Sequence, residues 1–190
     1  MPHTNPTFKM FTGCMFSAKT SRMLLELERF KYQHKKIMVF KPKFDDRYSE
    51  DEVVTHGGWK IMAKTVDVGA DILGILATVE GHPDVIAIDE AFMISGIADV
   101  CIFLYKSGFH VAISSLDMSS AGKPFKEIEK MFPWATHIEK CSAVCVVCGK
   151  DAFYTYKKQD DDEEITIGGA ELYEPRCWYC HPTVRAVNNG

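Results

Sequence analysis

An α/β fold, in which a parallel sheet flanked by helices carries a small metal-stapled lobe, is predicted by three features of this sequence. Over the first 140 residues, short apolar runs alternate with amphipathic stretches, the pattern of strands buried on both faces and covered by helices. The first apolar run ends in a glycine-led turn that opens a helix. Beyond about Lys140 the composition shifts, and two Cys-x-x-Cys pairs, Cys145 with Cys148 and Cys177 with Cys180, stand 28 residues apart. A chain of 190 residues suffices for one domain with a small appendage and excludes a large multidomain machine.

Four strands are expected in order: Phe8 to Thr12, Lys36 to Lys41, Asp84 to Ile88 and Phe109 to Ser115, each short and rich in Val, Ile, Phe or Met. Between the first two, Met23, Leu24, Leu27, Phe30 and Lys31 recur at helical spacing after Thr20, which predicts a helix over about residues 19 to 34. Weaker helical patterns run over Asp67 to Thr78, Ile94 to Lys106 and Phe125 to Phe132. These elements make a domain of residues 1–140. Residues 141–190 are too few for a self-sufficient core, so a metal staple is expected there. Disulfides seldom persist in a reducing compartment, whereas metal thiolates do, and four thiolates close a tetrahedral structural zinc site with no open position for chemistry. Cys145, Cys148, Cys177 and Cys180 are the expected zinc ligands; His181, beside Cys180, is set aside as a ligand and expected in solvent. The acidic run Asp160 to Glu164 is expected to be a solvated loop tip.

The net charge of −4, with 46% hydrophobic and 25% charged residues, describes a globular chain. It argues against a protein that coats nucleic acid polymers or anionic membranes, which require a positive field. A small-molecule partner fits better. No window of 18 apolar residues occurs, and Met1 to Met10 lacks the charged-then-apolar pattern of a secretory signal, so a cytoplasmic location is expected.

The turn Gly13-Cys14-Met15-Phe16-Ser17-Ala18-Lys19-Thr20 follows a strand and opens a helix, the context a phosphate-binding loop requires. In such a loop successive backbone N–H groups point at the β-phosphate and the helix N-terminus adds its positive dipole end; Lys19 contributes a charge and the Thr20 hydroxyl ligates Mg²⁺. The usual form has glycine before the lysine, and here Ala18 stands there. A left-handed backbone at that position costs on the order of 1–2 kcal/mol; any other backbone costs little. The bland alternative is an ordinary strand-turn-helix junction. A second segment counts against it: Val85-Ile86-Ala87-Ile88-Asp89-Glu90 is an apolar strand ending in adjacent carboxylates, as in the segment that holds magnesium in P-loop NTPases. Asp89 then serves the Mg²⁺ shell through water, and Glu90 takes a proton from a hydroxyl attacking the γ-phosphate. Of the lone thiols, Cys14 lies where a helix dipole lowers a pKa, yet it reads as filler more readily than as a reactive group. His56, His110 and His137 have no partner at recognisable spacing and read as structural; Trp59, Trp134 and Trp178 read as packing or interface aromatics.

Further motifs follow in order: Asp45-Asp46-Arg47-Tyr48, Leu116-Asp117 before Gly122-Lys123-Pro124-Phe125, Ala143-Val144-Cys145-x-x-Cys148, Ile167-Gly168-Gly169-Ala170-x-x-Tyr173 and Cys177-x-x-Cys180. With the phosphate loop and Ile88-Asp89-Glu90, the chain resembles, nearly end to end, the zinc-containing thymidine kinases of animals, bacteria and large DNA viruses. The resemblance implies a P-loop NTPase-type sheet and transfer of the ATP γ-phosphate to the 5′-hydroxyl of thymidine or a related pyrimidine deoxynucleoside, with Glu90 as general base. It implies that Asp45, Asp46 and Arg47 act on the phosphate side with Gly13 to Thr20 and Asp89. Glu164, Ile165, Thr166, Ile167 and Gly168 fall in the family's lasso loop, which grips the base through backbone groups, with Tyr173 beside it; Met15, Leu116, Ser120 and Phe125 fall at pocket positions. Backbone amides held this way read the polar edge of a pyrimidine and shut out water that would otherwise hydrolyse ATP. A homotetramer and feedback inhibition by the triphosphate product are further implications of the resemblance.

Two departures bear on the base pocket. Family members commonly carry glutamine then phenylalanine two and three residues after the catalytic glutamate, where this chain has Phe92 and Met93. They also place a phenylalanine four residues after the leucine of the Leu-Asp pair, where this chain has Ser120. Losing an aromatic wall removes stacking of about 0.5–1.5 kcal/mol and opens room that Phe92 refills in part from another side. A pyrimidine with a bulkier or more polar 5-substituent is then an alternative substrate. Two rival readings are a relative that has lost catalysis, against which Lys19, Thr20, Asp89 and Glu90 speak, and a zinc-ribbon module on nucleic acid. Against the latter stand the acidic charge and the lack of a Lys/Arg stripe near the cysteines.

Overall fold

Alternation of side chains along short apolar strands decides which helix covers which face of the sheet. The computed structural model describes residues 5–43, 52–54, 60–158 and 168–185. In chain order the main elements are β1 (Phe8–Gly13), α1 (Lys19–Tyr32), β2 (Ile37–Pro42), β3 (Glu52–Val54), β4 (Lys60–Met62), β5 (Lys64–Val66), α2 (Gly69–Thr78), β6 (Val85–Ile88), α3 (Ile97–Lys106), β7 (His110–Ser115), α4 (Lys126–Met131) and β8 (His137–Cys141). Six of these strands form one sheet in the order β5-β2-β6-β7-β1-β8, and every pairing in it is parallel. On β6, Ile86 and Ile88 join the core beneath α2, α3 and α4, while Val85 and Ala87 face the opposite way and pack with Met23, Leu24, Leu27 and Phe30 of α1. Each fully buried isoleucine contributes about 1.5–3 kcal/mol of apolar burial. The carboxyl ends of β1, β6 and β7 meet at one edge, where open α/β sheets bind ligands.

The four expected strands are present to within a residue or two, but β5 and β8 escape the sequence reading. Both are edge strands with polar exposed faces: β5 reads Lys64-Thr65-Val66, and in β8 only Cys141 is buried. Neither makes an apolar run. The first helix stops at Tyr32, two residues short of expectation, and His34 takes φ 56 in the turn that follows. The third begins at Ile97 because Gly96, at φ 73, starts it afresh after a short 3₁₀ turn over Ala91–Met93. Beyond Cys141 the lobe consists of two antiparallel pairs, β9 (Ala143–Val144) with β10 (Asp151–Ala152) and β11 (Tyr154–Lys157) with β12 (Tyr173–Arg176). His56, Trp59 and the acidic run Asp160 to Glu164 lie outside the described residues.

His110, at the start of β7, is 7% exposed. Its Nδ1 accepts the Thr7 N–H at 3.2 Å and lies 3.0 Å from the Thr7 hydroxyl, with the Phe30 ring 4.9 Å away between centroids. Burial, and next the positive charge of Lys35, hold its pKa below the ordinary 6.5. The unfolded chain therefore takes up a proton that the folded chain refuses. The stability is fully present above pH 6.5 and is lost as pH falls through that value toward the folded pKa. Urea midpoints measured between about pH 8 and pH 5 should be level at first and then fall, and the fall should be shallower in His110→Asn.

Candidate active site

The turn between β1 and α1 has the backbone a phosphate-binding loop needs. Gly13 has φ 148, and a Cβ there would lie 2.3 Å from the Cys141 carbonyl oxygen, so the close approach of β8 admits only glycine. Phe16 and Ala18 are left-handed, at φ 64 and φ 57. Left-handed residues set in such a turn rotate successive N–H groups to one side and form an anion-binding concavity. Helix α1 begins at Lys19, so its unpaired N–H groups and positive dipole end face the same place. The buried Lys19 ammonium donates to the Cys14 carbonyl at 2.7 Å, and the Ser17 hydroxyl donates to that carbonyl at 2.7 Å. The conditional cost at Ala18 therefore applies: its backbone is the left-handed one.

Asp89 is buried directly after β6. The Thr20 hydroxyl donates to Asp89 Oδ1 at 3.0 Å and lies 3.3 Å from the Ser114 hydroxyl on β7. A hydroxyl and a carboxylate brought together at the foot of such a loop are hard oxygen donors of the type Mg²⁺ takes. Glu90 follows with φ 48 and ψ 44, turning the chain as the strand ends. Its Oε2 is shielded from solvent. Among the described residues, four non-glycine residues have positive φ, and three of them, Phe16, Ala18 and Glu90, stand in the loop or beside its carboxylate partner. Strain of this kind collects where a surrounding fold has reason to hold it.

Above the other face of the sheet, the Phe92 N–H donates to the Ser115 hydroxyl at 3.0 Å, and its ring packs on Phe125 with centroids 4.7 Å apart. Leu116 packs against the same apolar cluster. Ser120 is half-buried in a turn closed by the Ser119 N–H donating to the Lys123 carbonyl at 2.8 Å. Met15 is half-buried in the loop, and Tyr173 is buried on β12 opposite Lys157. Asp45, Asp46, Arg47 and Glu164 to Ile167 lie outside the described residues; Gly168 is within them. The fold also brings in residues the sequence reading leaves without a role. Ser114 joins Thr20 and Asp89, and the Lys140 ammonium pairs closely with the buried Asp117 carboxylate.

The four paired cysteines converge, with all their sulfurs within 4.8 Å of one another and those of Cys148 and Cys177 3.5 Å apart. Tetrahedral zinc, with bonds of about 2.3 Å, spaces its sulfurs by about 3.8 Å, so this donor set fits the ion. Burial works against a thiolate at Cys145, but backbone N–H groups of Cys177, Val147 and Cys148 outweigh it and bring that thiol down to about 6. His181 is not in solvent. It is 2% exposed, with the Tyr154 and Tyr156 rings edge-on to it. Its Nδ1 accepts the N–H groups of Thr183 and Val184, so Nε2 carries the proton and donates to the Thr155 carbonyl at 3.1 Å. Rings supplied by β11 enclose it, which no residue adjacent to Cys180 announces. Bonds between this lobe and the phosphate loop include the Met15 N–H to Thr155 Oγ1 at 3.1 Å and the Cys14 thiol to the Ala152 carbonyl at 3.3 Å. Burial pushes the Cys14 thiol up, away from the thiolate form, and its side chain packs in the lobe's small apolar cluster.

A family model described as thymidine kinase matches residues 6–181. The chain belongs to the thymidine kinase family. The match takes in the phosphate loop and both cysteine pairs. A protein of Bacteroides thetaiotaomicron named thymidine kinase is 34% identical to it over 178 residues, 93% of this chain and 87% of the relative. One of the same name from Bacteroides fragilis is 35% identical over 174 residues, 91% of this chain and 85% of the relative. Thymidine kinases are phosphotransferases that use ATP. Among the described residues, no helix is long and apolar enough to cross a membrane.

The left-handed backbone of Ala18 makes a simple expectation about this kinase. Ala18→Gly should remove a steric penalty on the order of 1–2 kcal/mol, partly offset by the extra freedom of glycine in the unfolded chain. A net gain of about 0.5–1 kcal/mol in stability by urea denaturation is expected, and no change or a loss would mean the loop does not hold this conformation in solution.

Proposed function

We propose that this thymidine kinase transfers the γ-phosphate of ATP to the 5′-hydroxyl of thymidine, with Glu90 as general base and Thr20 and Asp89 as the holders of Mg²⁺. The observation that carries the reading is the 3.0 Å bond from Thr20 to Asp89, which ties the phosphate loop to the carboxylate strand in a chain matched by the family model over residues 6–181. The backbone amides from Gly13 to Thr20 and the Lys19 ammonium receive the phosphate tail. Mg²⁺, when bound, neutralises charge on the phosphates. Glu90 accepts the proton of the 5′-hydroxyl as its oxygen bonds to the γ-phosphorus and the bond to the departing ADP breaks. Asp45, Asp46 and Arg47 complete the phosphate side. Met15, Leu116, Ser120, Phe125 and Tyr173, with the backbone of Glu164 to Gly168, hold the base, and the packed rings of Phe92 and Phe125 supply an apolar wall suited to a thymine methyl group.

Zinc at Cys145, Cys148, Cys177 and Cys180 has an architectural role in a lobe of residues 141–190, set on a catalytic domain of residues 1–140. The enzyme works in the cytoplasm as a homotetramer, with no nucleic acid polymer or membrane as partner.

Transfer of label from ATP to thymidine, deoxyuridine, deoxycytidine and 5-hydroxymethyldeoxyuridine tests the reading, with thymidine expected to be the best acceptor. Glu90→Gln should lower kcat by about 10²–10⁴-fold while leaving the affinity for a non-hydrolysable ATP analogue nearly unchanged. A wild-type enzyme inert toward thymidine, or a Glu90→Gln variant of undiminished kcat, overturns it.

A further inference from the structure

Met15 holds an unusual place in the phosphate loop, because its amide is already engaged. The N–H donates to Thr155 Oγ1 at 3.1 Å, across 140 residues of sequence. Thr155 is 4% exposed, and its carbonyl is itself held by His181 Nε2 at 3.1 Å, one residue past Cys180. It lies on β11, whose partner β12 leads directly to Cys177. The oxygen that meets Met15 is thus part of a strand fixed from both sides. The bond from the Cys14 thiol to the Ala152 carbonyl reaches β10 of the lobe, outside this strand pair, and is made by a weak donor.

A loop that receives phosphate with its amides must keep those amides aimed before the anion arrives, and here the residues next to Met15 resist it. Phe16 and Ala18 both sit in left-handed conformations that side-chain-bearing residues leave when released. One end of the loop is clamped at Gly13 beneath β8, and the other is continuous with α1. Between them the Met15 amide is a point at which a distant part of the protein grips the backbone. An N–H that donates to a protein hydroxyl is held in place, so Met15 anchors its neighbours in the loop.

We propose that Thr155 is a positioning residue for phosphate transfer: its hydroxyl fixes the Met15 amide and so keeps the strained loop in the shape that receives the phosphate tail of ATP. This rests on the kinase reading for the identity of the nucleotide and adds a residue that acts on it through the loop.

The test uses the full chain with its zinc and three forms: wild type, Thr155→Ser, which keeps the hydroxyl, and Thr155→Val, which keeps the shape and removes it. Binding of adenylyl-imidodiphosphate with Mg²⁺ is measured by calorimetry with no nucleoside present, alongside zinc content and thermal midpoint. Thr155→Val should bind the analogue about tenfold more weakly, with KM for ATP raised to match, and Thr155→Ser should stay within about twofold of wild type. Hydrogen exchange gives a readout independent of variants, with the Met15 amide of the wild type expected to be protected before any nucleotide is added. Wild-type analogue affinity in Thr155→Val, whatever its thermal midpoint, overturns the proposal. So does an unprotected Met15 amide. If the affinity loss appears as expected but the wild type transfers no phosphate to thymidine, the substrate reading falls and the positioning role stands.

Discussion

A row of backbone amides grips a phosphate tail only when the turn that carries them is kept from relaxing, and the turn between β1 and α1 contains two side-chain-bearing residues in left-handed conformations, Phe16 and Ala18. Much of the surrounding architecture supplies restraint on that turn. Strand β8 lies so close that its last residue, Cys141, admits no side chain at Gly13. Helix α1 is seated by Met23, Leu24, Leu27 and Phe30 on one face of the sheet, which sets where its N-terminus points. Thr20 is bonded across two strands' worth of sheet to Asp89 and lies close to Ser114. The parallel order of β6, β7, β1 and β8 is what brings these groups to one edge.

The cysteine lobe belongs to the same set of restraints. Its small apolar cluster consists of Ala143, Cys145, Ala152 and Cys177 together with Cys14, a residue of the phosphate loop, and Phe16 packs against it. A segment this short cannot hold itself together by apolar burial, and its four convergent cysteines form a donor set that fits zinc. What the lobe offers in return is rigidity placed beside the loop. Both strands of its second hairpin are fixed, β11 by His181 and β12 by its continuation into the Cys177 turn, and β11 is the strand that reaches Met15.

Buried polar groups and a strained backbone collect near the loop. Asp117 and Lys140 form a charge pair whose aspartate is almost wholly withdrawn from water, with both charges felt at Cys14 in the loop. Such pairs are costly to desolvate and seldom add net stability, so their value is in fixing orientation. Glu90, too, takes a left-handed backbone at a strand end where an extended residue would be less strained.

What could be read from the sequence was whatever lies in contiguous or regularly spaced residues. The phosphate loop is eight consecutive residues, the carboxylate strand is six, and the two cysteine pairs are each a fixed short spacing. Local geometry imposes these patterns, so they survive in one dimension, as do buried strands, whose both faces demand apolar residues. Edge strands β5 and β8 were invisible because only one face of each is covered, and polar residues are tolerated on the other. Other features depended on partners far away in the chain. Asp117 meets Lys140 across 23 residues, His181 is enclosed by rings from β11, and the Thr155 hydroxyl meets an amide 140 residues earlier. Even the backbone of Ala18, whose identity is plain in the sequence, was decided by the strand, helix and lobe that together hold the turn. Composition and spacing determined the chemistry this protein carries; the tertiary structure alone decided how that chemistry is held, because orientation comes from contacts between segments that share no local pattern.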